Sequence, residues 1–152
     1  MVINDYNYEL NYFLVKVFNE ILRIEESSLR TGEFKNLSIR EMHVIEAVCS
    51  AGENETDNRA TDIACALRIS AGTLTTTVAL LEKKGYLIRK QDTQDKRIVR
   101  LYATENGKRA NLFHQNFHNH MVANVIETLD KEETEILIKG LKSLKLFFDS
   151  KK

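Results

Sequence analysis

The hydroxyl side chains Ser70, Thr73, Thr75 and Thr76 crowd into SAGTLTTTVALLEKK, and a few residues on, Asp95, Lys96 and Arg97 set an acid beside two bases in QDTQDKR. These residue types suit contact with a polyanion. Ser and Thr hydroxyls donate to phosphate oxygens, and a threonine methyl can touch the methyl of thymine. Winding residues 70–84 at about 100° per residue with Leu74, Val78 and Leu81 inward turns Gly72, Thr76, Ala79 and Lys83 outward, flanked by Thr73 and Thr75. That outward face is small, hydroxylic and basic at its far end. Threonine is a mediocre helix former, so the run at 75–77 is not there for propensity. An arginine beside a carboxylate suits a narrow, negative groove of DNA: Arg97 would enter it while Asp95 holds the guanidinium in position.

A second constellation is imidazole-based. His114 and His118 stand at i, i+4 on one helical face, with His43 in an earlier helix and His120 close by. Such a pair can share a metal, and Glu25, Glu26 or Glu41 could complete the ligand set. The same residues read equally well as polar side chains hydrogen-bonded at a helix junction. No glycine-rich phosphate loop, nucleophile elbow or HExxH motif occurs, so neither an enzyme nor a resident cofactor is expected.

The elements that must position these residues follow from periodicity and punctuation. Apolar residues from Tyr6 to Ile24 recur at three-and-four spacing, which predicts a long first helix to about Ser28 with a broad buried face. Ser38 and Glu41 form a capping-box signature for a second helix ending near Ser50, followed by the polar break AGENETDN. RATDIACALR predicts a short third helix buried through Ile63, Ala64 and Leu67. Ser70 caps a fourth, stopped by Lys83, Lys84 and Gly85. YLIRK and RIVRLYA alternate like two strands joined by QDTQDK. Thr104 opens a long fifth helix through Phe113, Phe117, Met121 and Val125. Asp130 and Glu133 box the start of a sixth, striped by Leu137, Leu141, Leu144 and Phe148. The expected fold is mainly α with a small β-hairpin: a winged helix-turn-helix lobe over 34–103, flanked by helices at 1–33 and 104–152 in a single domain. Terminal helices so apolar cannot bury their faces on so small a central module, which predicts a two-fold homodimer.

Composition bounds the rest. The 152 residues carry 22 basic and 22 acidic side chains. Neutrality hides asymmetry: across residues 82–100, Lys83, Lys84, Arg89, Lys90, Lys96, Arg97 and Arg100 face only Glu82, Asp92 and Asp95, an excess of four positive charges. Acids such as Glu46, Glu53, Glu55, Asp57 and Asp62 offset it elsewhere. Cys49 and Cys65 read as small buried hydrophobes in a reducing compartment. With neither a signal peptide nor a membrane-spanning run, a cytoplasmic location is expected.

The order of helices, the stretch LEKKGYLIRKQDTQDKRIVRLYATENGK and above all the Asp-x-Arg of Asp95 and Arg97 resemble the MarR family of bacterial transcriptional regulators, over essentially the whole chain. The resemblance implies a homodimer on a pseudo-palindromic double-stranded operator, with the recognition helix in the major groove and the wing arginine in the minor groove. Carried over by position, Arg97 is that arginine, Asp95 its partner, and Ser70, Thr73, Thr75 and Thr76 the recognition-helix contacts. Within the family, IEESSLRTGEFKNLSIREMHVIEAV and GTLTTTVALLEKKGY look most like repressors of fatty-acid synthesis genes. That subgroup implies acyl-carrier protein bearing a long acyl chain as corepressor, the chain lying among Phe13, Val17, Ile21, Ile45, Phe117 and Met121. Each of these also fits an ordinary core. Some members of the family are zinc sensors with histidines in comparable helices, so a zinc-responsive or other small-ligand-responsive regulator, using His43, His114 and His118, is the alternative.

Overall fold

In a computed structural model, residues 2–53 and 58–151 are described. The end of the polar break, with Glu55 and Asp57, and the side chain of Glu53 lie outside the described residues. The chain divides into two compact units, Met1–His114 and Gln115–Lys152. The first holds α1 (Val2–Thr31), α2 (Ile39–Glu53), α3 (Ala60–Leu67), α4 (Ala71–Lys83), β1 (Leu87–Gln91), β2 (Val99–Ala103) and the first turns of α5 (Glu105–Glu127). The rest of α5 and α6 (Lys131–Asp149) make the second. No single described helix is long and apolar enough to cross a membrane.

The first turns of α5 belong with the first unit through burial: Gly107, Ala110, Asn111 and His114 all pack inside it. α1 extends beyond the expected end, to Thr31. Arg30 pairs with Glu26, and the Thr31 hydroxyl donates to the Ser27 carbonyl, holding the last turn helical. Its apolar stripe is not buried within the protomer: Tyr6, Leu10, Phe13, Leu14 and Val17 are exposed, while Glu25 and Leu29 are buried. In the second unit no residue of α6 is buried, and Leu137, Leu141 and Phe148 face water.

The local signals of the first unit are realised as bonds. The Ser38 amide donates to Glu41 at 2.8 Å and the Glu41 amide to Ser38 Oγ at 3.3 Å, closing the box that starts α2. In the second unit Asp130 and Glu133 do the same for α6. The core is an apolar cluster from α2 (Met42, Val44, Ile45, Val48), α3 (Ile63, Ala64), α4 (Leu74, Val78, Leu81) and the hairpin (Leu87, Leu101), completed by Ala110. Leu67 is only partly buried against it. Cys49 is buried, but Cys65 is exposed, because the inward face of α3 is spent on Ile63 and Ala64.

β1 and β2 pair antiparallel from Leu87 with Ala103 to Gln91 with Val99. Each strand starts or ends a residue or two from its expected bound, so the wing loop is 92–98 and Arg97 sits in it and not in a strand. α5 starts at the Thr104 cap, whose Oγ1 accepts from the Gly107 amide and donates to the Gly85 carbonyl at 2.7 Å. A Cβ on Gly107 would overlap the Tyr86 carbonyl oxygen, which is backbone and cannot move aside. Gly107→Ala is therefore expected to lower unfolding free energy by about 1–3 kcal/mol in urea denaturation.

Candidate nucleic-acid interface

α3 and α4 meet at 109°, the angle of a helix-turn-helix. The turn is closed by Arg68 in the left-handed conformation (φ 54°), with its amide on the Cys65 carbonyl and the Ile69 amide on the Ala64 carbonyl. A non-glycine residue there costs about 1–2 kcal/mol, offset by the two carbonyls it satisfies. Ser70 then caps α4, its Oγ accepting from the Thr73 amide at 3.0 Å and lying 2.8 Å from the Thr73 hydroxyl.

Leu74, Val78 and Leu81 are buried as the spacing requires, and Gly72, Thr75, Thr76, Ala79 and Lys83 are exposed. Thr77, third of the threonine run, lies on the inward side with Leu74, Val78 and Leu81 and belongs to the core. The other hydroxyl protons are already committed: Thr75 donates to the Ala71 carbonyl at 2.8 Å and Thr76 to the Gly72 carbonyl at 3.1 Å. Such back-bonding is the local option open to Thr inside a helix. What this face offers outward is methyl groups and hydroxyl lone pairs, so donation to a phosphate would require a hydroxyl to turn away from its carbonyl.

α4 ends in a Schellman pair. Gly85 is left-handed (φ 81°), the Tyr86 amide reaches the Leu81 carbonyl at 2.9 Å and the Gly85 amide the Glu82 carbonyl at 3.0 Å. Lys84 is thereby turned inward: its ammonium lies 2.7 and 2.8 Å from the Glu41 carboxylate oxygens and 2.6 Å from the Asn36 carbonyl. Burial pushes the Glu41 carboxyl up, but the Lys84 ammonium and the Ser38 amide outweigh it and hold the group below the usual carboxylate range.

At the wing tip Asp95 accepts from Arg97 three times, from the backbone amide, Nε and Nη2, each at 3.0 Å. The Arg97 side chain is nonetheless 91% exposed, a guanidinium held in place and presented to solvent. Behind it lies a residue the sequence reading counted only as a charge. Asp92 Oδ1 accepts from the amides of Gln94 and Asp95 at 2.8 and 3.1 Å, and Oδ2 from Arg100 Nε at 2.6 Å. Arg100 Nη1 continues to Asn58 Oδ1 at 3.0 Å, and Asn58 brackets Leu101 with bonds of 2.9 and 3.0 Å. The Arg100 guanidinium and these two amides draw the Asp92 carboxyl down to about 2. Arg97 lowers Asp95 in the same way. An acid two residues before a turn amide was the available signal for Asp92; its distant partners Arg100 and Asn58 had none.

Ion pairing thins the basic edge. Lys84 goes to Glu41, Arg89 to Glu82 and Arg100 to Asp92. Lys83, Lys96 and Arg97 remain outward, and Lys90 lies over the Tyr102 ring. Between α4 and the wing opens a cleft of about 570 Å³, walled by Ala71, Thr75 and Val78 on one side and by Lys90, Arg97 and Val99 on the other.

His114 is buried and its ring centroid lies 5.6 Å from that of His43. His114 Nε2 is 3.6 Å from Glu46 and 3.9 Å from Glu25. His43, Glu46 and His114 can bring their ligand atoms within 4.8 Å of one another. Of the expected carboxylates, Glu25 is buried 3.9 Å from both His43 and His114, while Glu41 is engaged by Lys84 and Glu26 by Arg30; Glu46, read only as a compensating acid, joins the cluster. His118 lies past the unit boundary. The apolar positions also separate: Ile45 is wholly buried in the winged-helix core, Ile21 is half-buried, and Phe13 and Val17 are exposed on α1. Phe117 and Met121 are half-buried residues of the second unit.

The model of the MarR family matches residues 49–99. FabT of Streptococcus pneumoniae, solved in complex with DNA, is 36% identical, with 96% of this chain and 99% of that one covered and a TM-score of 0.89. The chain belongs to the MarR family. As a MarR protein it is a DNA-binding transcriptional regulator, and regulators of this family are dimeric. Two more distant MarR-like folds agree in shape: MepR of S. aureus, solved with DNA (19% identity, 91% and 95% covered, TM-score 0.73), and BldR of Sulfolobus solfataricus (21%, 92% and 94%, 0.67). No curated protein matches the chain.

Within this MarR wing the depressed Asp92 carboxyl makes a pH prediction. Its bonds contribute stability above the ordinary value of 3.8, and that contribution is lost as pH falls toward about 2. NMR titration should give an Asp92 midpoint near 2 in the native protein and one closer to 3.8 in Arg100→Ala.

Proposed function

We propose that the protein is a dimeric repressor of fatty-acid synthesis genes that reads a pseudo-palindromic operator, with long-chain acyl-carrier protein as corepressor. The observation that carries the DNA side is Arg97: a solvent-facing guanidinium fixed by two side-chain bonds to Asp95, on the same cleft as the small-residue face of α4. Lone surface arginines lose side-chain entropy on binding; one already held loses less. In this reading α4 lies in the major groove with Ser70, Thr73, Thr75 and Thr76 toward bases and phosphates, and Lys83 and Lys96 meet the backbone. The wing puts Arg97, braced by Asp95, into the minor groove.

The exposed apolar residues of α1 and α6 supply the dimer surface, since a lone protomer would hold far more apolar area in water than folded monomers tolerate. The likeness to FabT supports the fatty-acid reading. A corepressor would act by population shift, favouring the spacing at which both recognition helices engage half-sites about 34 Å apart. The acyl chain would lie among Phe13, Val17, Ile21, Phe117 and Met121, whereas Ile45 is wholly buried in the core of the first unit.

A second reading has one observation in its favour. The grouping of His43, Glu46 and His114 offers two imidazoles and a carboxylate where α2 meets α5, a donor set suited to zinc. In it the protein would be a metal-responsive regulator of the same fold, with His118 as the further ligand named by the sequence.

Operator titration of metal-stripped protein separates the two. Tightening by long-chain acyl-carrier protein alone supports the first reading, and tightening by zinc alone supports the second and overturns the first. Arg97→Ala should cost about 1–3 kcal/mol per half-site in the same titration. Log affinity should fall linearly with log salt for both proteins, with a slope shallower by about one per protomer in the variant. Wild-type affinity in Arg97→Ala would remove the wing from the interface.

A further inference from the structure

The wing has two carboxylates, and only Asp95 touches the presented arginine. Asp92 is farther back, yet four bonds that fix the loop pass through it. Its Oδ1 holds the amides of Gln94 and Asp95, its own amide donates to the Ile98 carbonyl at 2.9 Å, and its Oδ2 holds Arg100. Arg100 is in turn bound to Asn58, which is hydrogen-bonded to Leu101 of β2 and immediately precedes Arg59, the N-cap residue of α3. A continuous chain of bonds therefore runs from the start of the helix-turn-helix through Asn58, Arg100, Asp92 and Asp95 to the Arg97 guanidinium. Arg59 and Arg100 also form an isolated antiparallel bridge, so the segment beside α3 acts as a short third strand at the base of the wing.

We propose that Asp92 is a positioning residue of the DNA reader: through Asp95 it fixes the angle of Arg97, and through Arg100 and Asn58 it locks the wing to α3, so that wing and recognition helix move as one body. The inference rests on the DNA reading above. Rigid coupling matters because the two contacts fall in different grooves. A loop free to swing would lose part of the second contact to the entropy of ordering it. The two oxygens of Asp92 separate the two jobs. In Asp92→Asn the amide oxygen can still accept from Gln94 and Asp95, while the new NH2 faces the Arg100 Nε–H donor to donor and breaks the tie to α3.

The test is a double-mutant cycle in operator binding with the full-length protein, using Asp92→Asn, Arg97→Ala and the pair. If Asp92 acts through Arg97, Asp92→Asn weakens binding on the order of tenfold per half-site and the pair binds no more weakly than Arg97→Ala alone. A purely structural role would move melting temperature and affinity together in both backgrounds. Asp92→Asn should instead lose discrimination at the operator flank: replacing its wing-facing A·T pairs by G·C should weaken the wild type and leave the variant nearly unchanged. Asn58→Ala, which cuts the same chain outside the wing loop, repeats the experiment should Asp92→Asn fold poorly. Unchanged affinity in both variants, or fully additive losses with Arg97→Ala, would overturn the proposal. Failure of the wild type to bind any operator would instead remove the DNA reading itself.

Discussion

The turn at Lys84, Gly85 and Tyr86 is the constraint on which the rest of the first unit depends. The left-handed Gly85 lets the chain leave α4 and enter β1 within three residues, and each neighbour is tied to a different element. The Lys84 ammonium is bound by Glu41 at the start of α2, and the Tyr86 hydroxyl donates to Asn36 at 2.9 Å. The Tyr86 carbonyl accepts from the Thr104 amide at 3.0 Å, and Gly107 of α5 packs directly on that carbonyl. Recognition helix, wing, α2 and α5 therefore converge on one corner. A residue with a Cβ at Gly85 would be strained, and a displaced Lys84 would leave the Glu41 carboxylate buried without its cation, which costs far more than a surface pair is worth.

Electrostatics in this chain is a matter of where charges are neutralised. Formal neutrality comes from balance over the sequence, but in the fold Lys84, Arg89 and Arg100 are satisfied internally and serve architecture. Lys83 and Lys96 stay in water, and Arg97 is both paired and presented. Asp95 lowers the net charge at the wing tip and in exchange fixes a direction, which is the more useful quantity for a side chain that must enter a groove.

The junction of α1, α2 and α5 is the polar counterpart of the apolar core. Glu25 and His114 are buried there beside His43 and Glu46, a concentration of titratable groups at the point where the terminal helices join the winged helix. A ligand that altered the spacing of these groups would be felt directly at α2, and through the Glu41–Lys84 contact at the base of α4. Of the apolar positions that could line a ligand site, Ile45 is core, Ile21, Phe117 and Met121 are half-buried, and Phe13 and Val17 are exposed on a surface that a single protomer leaves open.

Helix caps, the Gly85 stop, the alternating hairpin and the inward face of α4 were legible in the sequence because each is decided within four or five residues, by a side chain bonding a nearby amide or by a fixed angular repeat. Asp95 and Arg97 were legible for the same reason, two residues apart. The local reading that failed did so where packing decided: Cys65, expected inside, was turned outward, whereas Thr77 follows the inward repeat of α4 and the apolar stripes of α1 and α6 are left open within the protomer, as expected of a dimer. Only tertiary structure decided that Lys84 belongs to Glu41, that Asp92 reaches Arg100 and Asn58, and that Glu46 stands with His43 and His114. Except for Asp92 and Arg100 across the hairpin and His43 and Glu46 within α2, these partners come from different elements. Their choice is set by how whole helices and strands pack, and no spacing along the chain records it.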